Sequence, residues 1–338
     1  MGFIFTPSGE ISTGLKDLRD RAFKSFQALK SKMGESFNRD VVTALSLYES
    51  MIKPILTYAS DFWGCLKLPK NNPIENMHMK VIKQILGVHQ LTTNLGVLLE
   101  IGHTPLDIDC IKLGVKNWER IRKENANSLL MASYNDAITE ELPWICGVKG
   151  ILERNGLLSL FINKYPNKLP FIHNKLYKTL ADQFHQNAFA SINNQESKLR
   201  TYALFKNNIG MEVYLMEIKN VAVRTQVTKF RISNHNLMIE IGRHKVPRKV
   251  EAHLRFCPFC ERVVENEVHF LIDCPIYKHL RADLFTEIIR DNPLFQYFSK
   301  QEKFVFLMTN ASHHEIASFI YNSFELRNLL STKPKRTE

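Results

Sequence analysis

Three cysteines and one histidine lie close together in the last third of this 338-residue chain, and their side chains are of the types that bind zinc. In chain order they are Cys257, Cys260, His269 and Cys274, which gives the pattern C-x2-C-x8-H-x4-C. Three thiolates and one imidazole complete the tetrahedral shell of a structural zinc site. The spacing predicts a tight turn at the first two cysteines, then a small hairpin before the other two ligands. We therefore predict a structural Zn²⁺ held by these four side chains.

Other chemistry for these cysteines is weaker. A disulfide between Cys257 and Cys260 is disfavoured because nothing marks the chain as secreted, and cytosolic thiols stay reduced. A thioredoxin-type redox pair would need a surrounding βαβ pattern, which the sequence lacks. Unligated buried cysteines are the third alternative. Zinc is the favoured interpretation, but a structural zinc site does not by itself indicate a function.

The length and the net charge of the chain limit which class of protein it can be. At 338 residues the chain is expected to form two or more domains. Its 45 lysines and arginines against 34 acids give a net charge of +11, which suggests a polyanionic partner without establishing one. No signal peptide and no apolar run of eighteen residues are apparent, so we expect a location in the cytoplasm or nucleus and no membrane partner.

Hydrophobic periodicity predicts a mainly α protein with a short β element at its start. Phe3, Ile4 and Phe5 read as a strand, and a helix follows from Thr13 to about Met33. A second helix begins near Arg39, and Pro54 should kink or break it, because proline lacks an amide hydrogen. Further helices are expected over residues 73–86, 93–102, 106–121, 171–184, 211–218, 221–232 and 278–289, with one or two more over 294–330.

The most basic stretch precedes the cysteine cluster. Residues 198–256 hold twelve lysines and arginines against four acids, a surplus of eight positive charges. Aromatic residues interleave with these charges, as in proteins that bind single-stranded nucleic acid. The alternative is that the aromatics form core and the charges are merely solvated. Under the first interpretation the predicted phosphate contacts are Lys198, Arg200, Arg231, Arg243, Arg248, Lys249, Arg255 and Arg262. Phe256 or Phe259 would either stack on a base or pack around the metal.

Four blocks of sequence carry a resemblance to a known family. They are 47–50 with 54–56 and 58–64, then 83–88 with 100–102 and 105–106, then 197–202 with 205–206, 230–233 and 240–243, and finally the Cys/His cluster with Glu265, Glu267, 269–271 and 274–277. Together, in this order, they resemble the carboxyl-terminal part of the reverse transcriptase polyprotein of animal non-LTR (LINE-type) retrotransposons. The likeness covers nearly the whole chain, and it is specific as a set although each block alone is weak.

The resemblance implies a multi-helix thumb- and linker-like protein with a small zinc-knuckle module. The implied segments are 1–70 (palm end and thumb), 71–195 (helical linker), 196–254 (basic nucleic-acid-binding helices), 255–290 (CCHC zinc knuckle), 291–330 (carboxyl-terminal helices) and 331–338 (disordered tail). In this family the knuckle region is thought to help hold template RNA or target DNA. RNA or DNA is therefore the expected partner, together with an amino-terminal polymerase portion of the same element.

Polymerase catalysis is not expected from this chain alone. The family needs an aspartate pair and a third, upstream aspartate to hold two divalent ions, and no Asp-Asp dipeptide occurs here. We thus expect no enzyme activity in isolation and no catalytic residues. Three alternatives stay open: a zinc-stabilised module that binds a protein partner, a polymerase assembled with a separately supplied amino-terminal half, and a decayed element fragment without function.

Overall fold

The protein is mainly helical, as predicted, in a computed structural model that describes residues 2–7, 9–124, 128–162, 171–194, 196–261 and 263–332. The α-helices of this part of the chain are α1 (Ser12–Met33), α2 (Val41–Leu47), α3 (Lys53–Leu56), α4 (Ser60–Trp63), α5 (Pro73–Leu86), α6 (Asn94–Ile101), α7 (Leu106–Arg122), α8 (Leu129–Thr139), α9 (Pro143–Arg154), α10 (Leu158–Ile162), α11 (Ile172–Ile192), α12 (Tyr214–Glu217), α13 (Val221–Arg231), α14 (Met238–Ile241), α15 (Lys278–Asp291), α16 (Lys300–Thr309) and α17 (His313–Thr332).

Shorter turns complete the secondary structure. Two π-helical turns cover Tyr48–Ile52 and His269–Asp273. The 3₁₀ turns are Gly34–Asn38, Tyr202–Leu204, Ala252–Leu254, Pro275–Tyr277 and Pro293–Tyr297. None of the described helices combines the length and apolar character needed to cross a bilayer. Because α17 continues to Thr332, the rest of the predicted tail, 333–338, lies outside the described residues.

The chain divides into two compact units, each assembled from separated stretches. Unit 1 comprises residues 1–37, 43–82 and 103–188. Unit 2 comprises residues 38–42, 83–102 and 189–338, and it contains the whole Cys/His cluster. Each unit therefore depends on contacts between residues that are distant in sequence.

The predicted amino-terminal strand is wrong. Phe3 and its neighbours form no strand, and the described residues contain only two isolated β-bridges, neither of them here. A lone extended segment has no neighbour with which to exchange backbone hydrogen bonds. Side-chain packing holds it instead: the Phe3 ring stacks on Trp63 with 6.4 Å between centroids. A Cβ at Gly14 would lie 2.3 Å from the same ring, so α1 approaches it closely.

Pro54 distorts its helix as expected, in the form of a π turn. The backbone amide of Lys53 donates to the carbonyl of Tyr48, five residues earlier, and α3 begins directly after this wider turn. Proline has no amide hydrogen, and its ring clashes with the carbonyl four residues before it in a regular α-helix. The extra residue of the π turn accommodates the ring without ending the helical path.

Unit 1 packs around Trp118 of α7. Its indole is fully buried and lies parallel to the Phe161 ring, with 5.6 Å between centroids. The indole Nε1 donates a hydrogen bond to the Tyr134 hydroxyl at 3.2 Å. Buried aliphatic side chains from α9 and α11 close the same core. The periodicity of α7 thus places its apolar face inward and leaves its basic side chains outside.

A half-buried carboxyl of unit 1 couples folding to pH. The Glu75 side chain accepts a hydrogen bond from the Leu106 amide, at 2.9 Å, where α7 begins. Burial raises the pKa of Glu75 to about 7, and the charge of Asp107 adds to this. Because the folded-state pKa lies above the reference value of 4.5, the folded chain holds this proton more tightly than the unfolded chain. Its contribution to stability is complete at low pH and is lost as the pH rises through about 7.

Replacing Glu75 with glutamine should therefore stabilise unit 1 at alkaline pH. Glutamine keeps the hydrogen-bond acceptor for Leu106 and removes the buried charge. Relative to the native chain, we expect Glu75→Gln to gain up to about 3 kcal/mol of unfolding free energy between about pH 5 and about pH 8. Urea unfolding at both pH values measures this difference. The exposed Glu153→Gln on α9 is the control, and an effect of Glu75→Gln that does not change with pH would contradict the account.

Candidate metal centre

The first two cysteines lie at the turn of a short hairpin that two backbone hydrogen bonds hold together. The amide of Cys257 donates to the carbonyl of Val263 at 2.9 Å, and the amide of Glu265 donates to the carbonyl of Arg255 at 2.9 Å. These two bonds join the extended segments on either side of the turn that contains Cys260, around the isolated bridge between Phe256 and Val264. A tight turn and a hairpin are therefore present at the first two cysteines, and Cys257 is fully buried whereas Cys260 is half-buried.

The other two ligands are positioned by the π-helical turn His269–Asp273. The amide of Cys274 donates to the carbonyl of His269, five residues earlier, at 2.8 Å. In a regular α-helix two residues at this spacing would point about 140° apart. The π turn brings them to one side. Arg281 of α15 fixes its end by donating to the carbonyls of Leu271 at 2.8 Å and Cys274 at 3.0 Å.

These elements bring three of the four predicted ligands together, whereas Cys274 lies beside Cys257 but outside that group. One ligand atom each from Cys257, Cys260 and His269 lies within 4.8 Å of the others, so this cluster can hold a metal ion. The Cys260 Sγ lies 3.5 Å from the His269 Nε2. The Cys274 Sγ lies 3.8 Å from the Cys257 Sγ, far beyond the length of a disulfide bond, about 2.05 Å. Cys257, Cys260 and Cys274 are all free in this structure, with no disulfide between any two of them.

The pKa values of the two buried thiols, Cys257 and Cys274, are shifted in opposite directions. The hydrogen bond between them, together with burial, raises the pKa of Cys257 to about 12. The same bond lowers the pKa of Cys274. One sulfur thus keeps its proton while the other accepts a hydrogen bond from it, an arrangement that a bound cation would replace by ligating both sulfurs as thiolates.

A buried ion pair ties the hairpin to the last helix. The carboxylate of Glu265 receives a bidentate pair of hydrogen bonds from Arg327 of α17, one of them at 2.9 Å. It also accepts from the amide of Met238 at 2.7 Å and lies 3.6 Å from the Cys257 sulfur. Both side chains are nearly inaccessible, with 1% and 4% of their surfaces exposed. The candidate metal centre therefore lies against buried side chains of unit 2.

A second buried glutamate, Glu267, binds side chains from two distant parts of unit 2. Glu267 accepts hydrogen bonds from Ser233 and His235, each at 3.1 Å, and from Arg200 at 3.1 Å. Burial alone would raise the pKa of Glu267, but the bond and charge of His235, with the charge of Arg200, lower it to about 2. Glu267 is thus an ionised anchor for three basic or polar groups inside unit 2.

The metal centre also adjoins the aromatic core of unit 2. Phe270, the neighbour of His269 in the π turn, is fully buried. Its ring centroid lies 4.6 Å from that of Phe324, 4.8 Å from that of Tyr277 and 5.5 Å from that of Phe230. One short turn therefore supplies both a ligand and the central side chain of the core.

Several of the predicted phosphate contacts lie inside unit 2. Arg231 is buried, donating to Glu100 at 3.0 Å and to Glu212 at 2.5 Å. Arg255 is also buried, and its guanidinium donates to the backbone carbonyls of Ile239 at 2.6 Å and Val250 at 2.9 Å. Both guanidinium groups therefore bond to acceptors inside the protein and do not face solvent, where a phosphate would bind.

A second group of the predicted contacts surrounds Glu240. Its carboxylate lies 3.2 Å from Arg243, 3.4 Å from Arg200 and 4.0 Å from Lys198. These three cations are partly accessible, with 22–29% of each side chain exposed. These three cations share one carboxylate, so only part of their positive charge is balanced there.

The remaining predicted contacts differ in placement. Arg248 and Lys249 are exposed, and neither forms an ion pair with a described residue. Arg262 lies outside the described residues. Of the two candidate stacking rings, Phe256 is 45% exposed, whereas the guanidinium of Arg327 lies 5.2 Å from the Phe259 ring centroid.

Sequence reasoning missed the buried partners of the cluster. Arg281 and Arg327 help to hold the cluster, yet their spacing shows no link to the cysteines. For α13 a pattern was present: Arg224 and Arg231 are seven residues apart, on the same helical face as Val227, and all three are buried. A charge at an apolar position of a periodic helix indicates an internal ion pair.

Comparisons with known proteins supply no family for this chain. No protein-family model matches it, and no match was found among curated proteins or among solved structures. Function is therefore inferred from the chemistry and placement of the residues themselves.

Proposed function

We propose that this chain binds RNA or DNA through a surface built around a structural zinc site. The ligands of the zinc are Cys257, Cys260, His269 and Cys274. Four protein ligands leave no open position for water, so this ion would stabilise the fold and take no part in catalysis. Nothing in the proposal requires an enzyme activity of this chain alone.

The separations of the donor atoms support zinc. With Zn–S bonds of about 2.3 Å and Zn–N bonds of about 2.0 Å, a tetrahedral site places two sulfurs about 3.8 Å apart and a sulfur and a nitrogen about 3.5 Å apart. The distances between Cys257 and Cys274, 3.8 Å, and between Cys260 and His269, 3.5 Å, agree with both values. Three soft thiolates and an imidazole are also the donor set that selects zinc over magnesium or calcium.

The observation that carries nucleic-acid binding is a set of exposed basic and polar side chains in one loop, together with an exposed aromatic ring on the hairpin that follows it in the chain. We call this set the knuckle surface, and it consists of His244, Lys245, Arg248, Lys249 and Phe256, all exposed. Arg255 links its two parts, since this residue belongs to the hairpin and donates to the carbonyl of Val250 beside the basic loop. A Cβ at Gly242 would lie 2.8 Å from the Arg255 side chain, so a larger residue there would have to displace this arginine. Cations for phosphates and a ring for a base are the parts of a single-strand site.

The resemblance to non-LTR reverse transcriptases supports the same proposal. In that family a knuckle of this type follows the polymerase and helps to hold template RNA or target DNA. The proposed biological role is accordingly that of the nucleic-acid-binding carboxyl-terminal part of such a polyprotein, acting with an amino-terminal polymerase portion.

Removing the two adjacent cations should weaken binding of single-stranded RNA and reduce its salt dependence. For Arg248→Ala with Lys249→Ala we expect about a tenfold loss of affinity at low salt. The slope of log K against log salt concentration should fall in magnitude by about 1.4, since each lost phosphate contact on a single strand contributes about 0.7. Fluorescence anisotropy with a labelled oligonucleotide at several salt concentrations measures both.

A matched control removes the same charge elsewhere in unit 2. Lys278 and Arg290, both exposed on α15, are outside the knuckle surface, and their double alanine variant should bind like the native chain. Binding that is absent, independent of salt, or equally reduced in both double variants would refute the proposed interface.

One observation favours a protein partner as the second candidate. Exposed apolar side chains also lie on the hairpin and its loop: Val246 is 90% exposed, Leu254 49% and Val263 47%. A surface that docks a protein would use these side chains and would show little salt dependence. The salt titration above therefore distinguishes the two candidates.

A further inference from the structure

Unit 1 contains a cavity of its own, separate from the Cys/His cluster. It has a volume of about 520 Å³, within the range of small-ligand sites. The residues used below all line it: Ser60, Lys116, Asn117, Arg120, Lys123, Phe171 and His173.

One wall of the cavity is a basic face of α7. Lys116, Arg120 and Lys123 follow one another at steps of four and three residues, so they project from the same side of the helix. All three are exposed, and neither lysine forms an ion pair with a described residue. Arg120 is oriented by Asn117, whose side-chain oxygen accepts from its guanidinium at 3.0 Å. This wall favours an anion.

A flat apolar ring also lines the cavity. Phe171 is 66% exposed, and the ammonium of Lys123 lies 5.8 Å from its ring centroid. An exposed phenyl ring beside cations is suited to stack on an aromatic base whose phosphate the cations bind.

Two buried polar groups complete the lining. His173 is held rigidly, because Glu119 accepts hydrogen bonds from its backbone amide at 2.5 Å and from its Nδ1 at 2.9 Å, which leaves Nε2 for another partner. The hydroxyl of Ser60 is fully buried and has no hydrogen-bond partner among the described residues. Because a buried hydroxyl without a partner costs free energy, it is a candidate to bind a ligand.

We propose that this cavity binds a phosphate joined to an aromatic base. The cations of α7 hold the phosphate, Phe171 stacks on the base, and the hydroxyl of Ser60 and the Nε2 of His173 supply hydrogen bonds. A free mononucleotide and a nucleotide within a single-stranded nucleic acid both carry a phosphate and a base. The test distinguishes these two ligands.

Titration of the full chain with AMP, with adenosine and with inorganic phosphate tests the site by calorimetry. The chain carries Arg248→Ala and Lys249→Ala, so that the knuckle surface contributes little. We expect single-site binding of AMP that is tighter than that of adenosine. Lys116→Glu with Lys123→Glu should weaken it by about tenfold or more, through repulsion of the phosphate. Phe171→Ala should weaken AMP more than inorganic phosphate.

The matched control reverses two exposed lysines of unit 1 that do not line the cavity, Lys149 and Lys178. This variant should bind AMP like the parent chain, and equal unfolding midpoints would show that both double variants are folded. If a single-stranded oligonucleotide displaces AMP, the source is a nucleic-acid strand; if it does not, the source is a free nucleotide. No saturable AMP binding at millimolar concentrations, or an equal loss in both double variants, would overturn the proposal.

Discussion

Replacing Cys257 with serine, or stripping the metal with a chelator, is expected to unfold unit 2 rather than only the hairpin. The π turn that carries His269 also carries Phe270, the centre of the aromatic core. Structural zinc is worth about 10–16 kcal/mol of apparent binding free energy in small zinc-stabilised peptides. That is comparable with the whole unfolding free energy of a typical protein, about 5–15 kcal/mol. Loss of the proposed ion should therefore remove most of the stability of unit 2.

Amide hydrogen exchange followed by mass spectrometry measures this region by region. In Cys257→Ser we expect protection to be lost in α13, α15 and α17, while α9 of unit 1 keeps its protection. The control is Cys146→Ser, which changes an exposed thiol of unit 1. If α13 and α17 stay as protected in Cys257→Ser as in the native chain, the cluster does not stabilise unit 2 as proposed.

Replacing Arg327 with methionine is expected to lower the unfolding free energy of unit 2 by about 3–5 kcal/mol. The change leaves the carboxyl group of Glu265 buried without its bidentate partner, next to the Cys257 sulfur. An uncompensated buried charge costs far more than the pair itself contributes. Denaturant unfolding monitored by near-ultraviolet circular dichroism, which reports on the aromatic core, provides the measurement.

Two further variants distinguish the cost of leaving a buried charge unpaired from the cost of losing an ion pair. Adding Glu265→Gln to Arg327→Met removes the stranded charge and should recover part of the stability. Lys300→Met instead removes an exposed pair with Asp273, whose lysine is 70% exposed, and should cost at most about 1 kcal/mol. A double variant less stable than Arg327→Met alone would contradict this account of the ion pair.

The helical pattern of the chain was predictable, because amphipathic periodicity and helix stops are local. The helix predicted over 73–86 is observed as Pro73–Leu86, and Gly87 after it has a φ of +70°, which glycine adopts without strain. The two π turns were not predictable, since each differs from an α-helical turn by one hydrogen bond that the surrounding packing decides. At Pro54 only a disturbance of the helix could be foreseen.

Ligand identity was more predictable than the surface around it. The spacing of Cys257, Cys260 and His269 depends on residue type, and the structure brings them within reach of one ion. Charge counts, in contrast, do not distinguish an arginine that faces solvent from one such as Arg231, which pairs with Glu100 across 131 positions of sequence. The division into two discontinuous units depends on contacts of the same long range.

The most direct test of the central claim, that the Cys/His cluster holds a structural zinc ion, is X-ray absorption at the zinc edge on the purified full chain. The account predicts one zinc per chain with three sulfurs at about 2.3 Å and one nitrogen at about 2.0 Å. In Cys274→Ser the sulfur count should fall to two, because Cys274 is the proposed fourth ligand. A chain purified without zinc, or a zinc shell of nitrogen and oxygen alone, would contradict the claim.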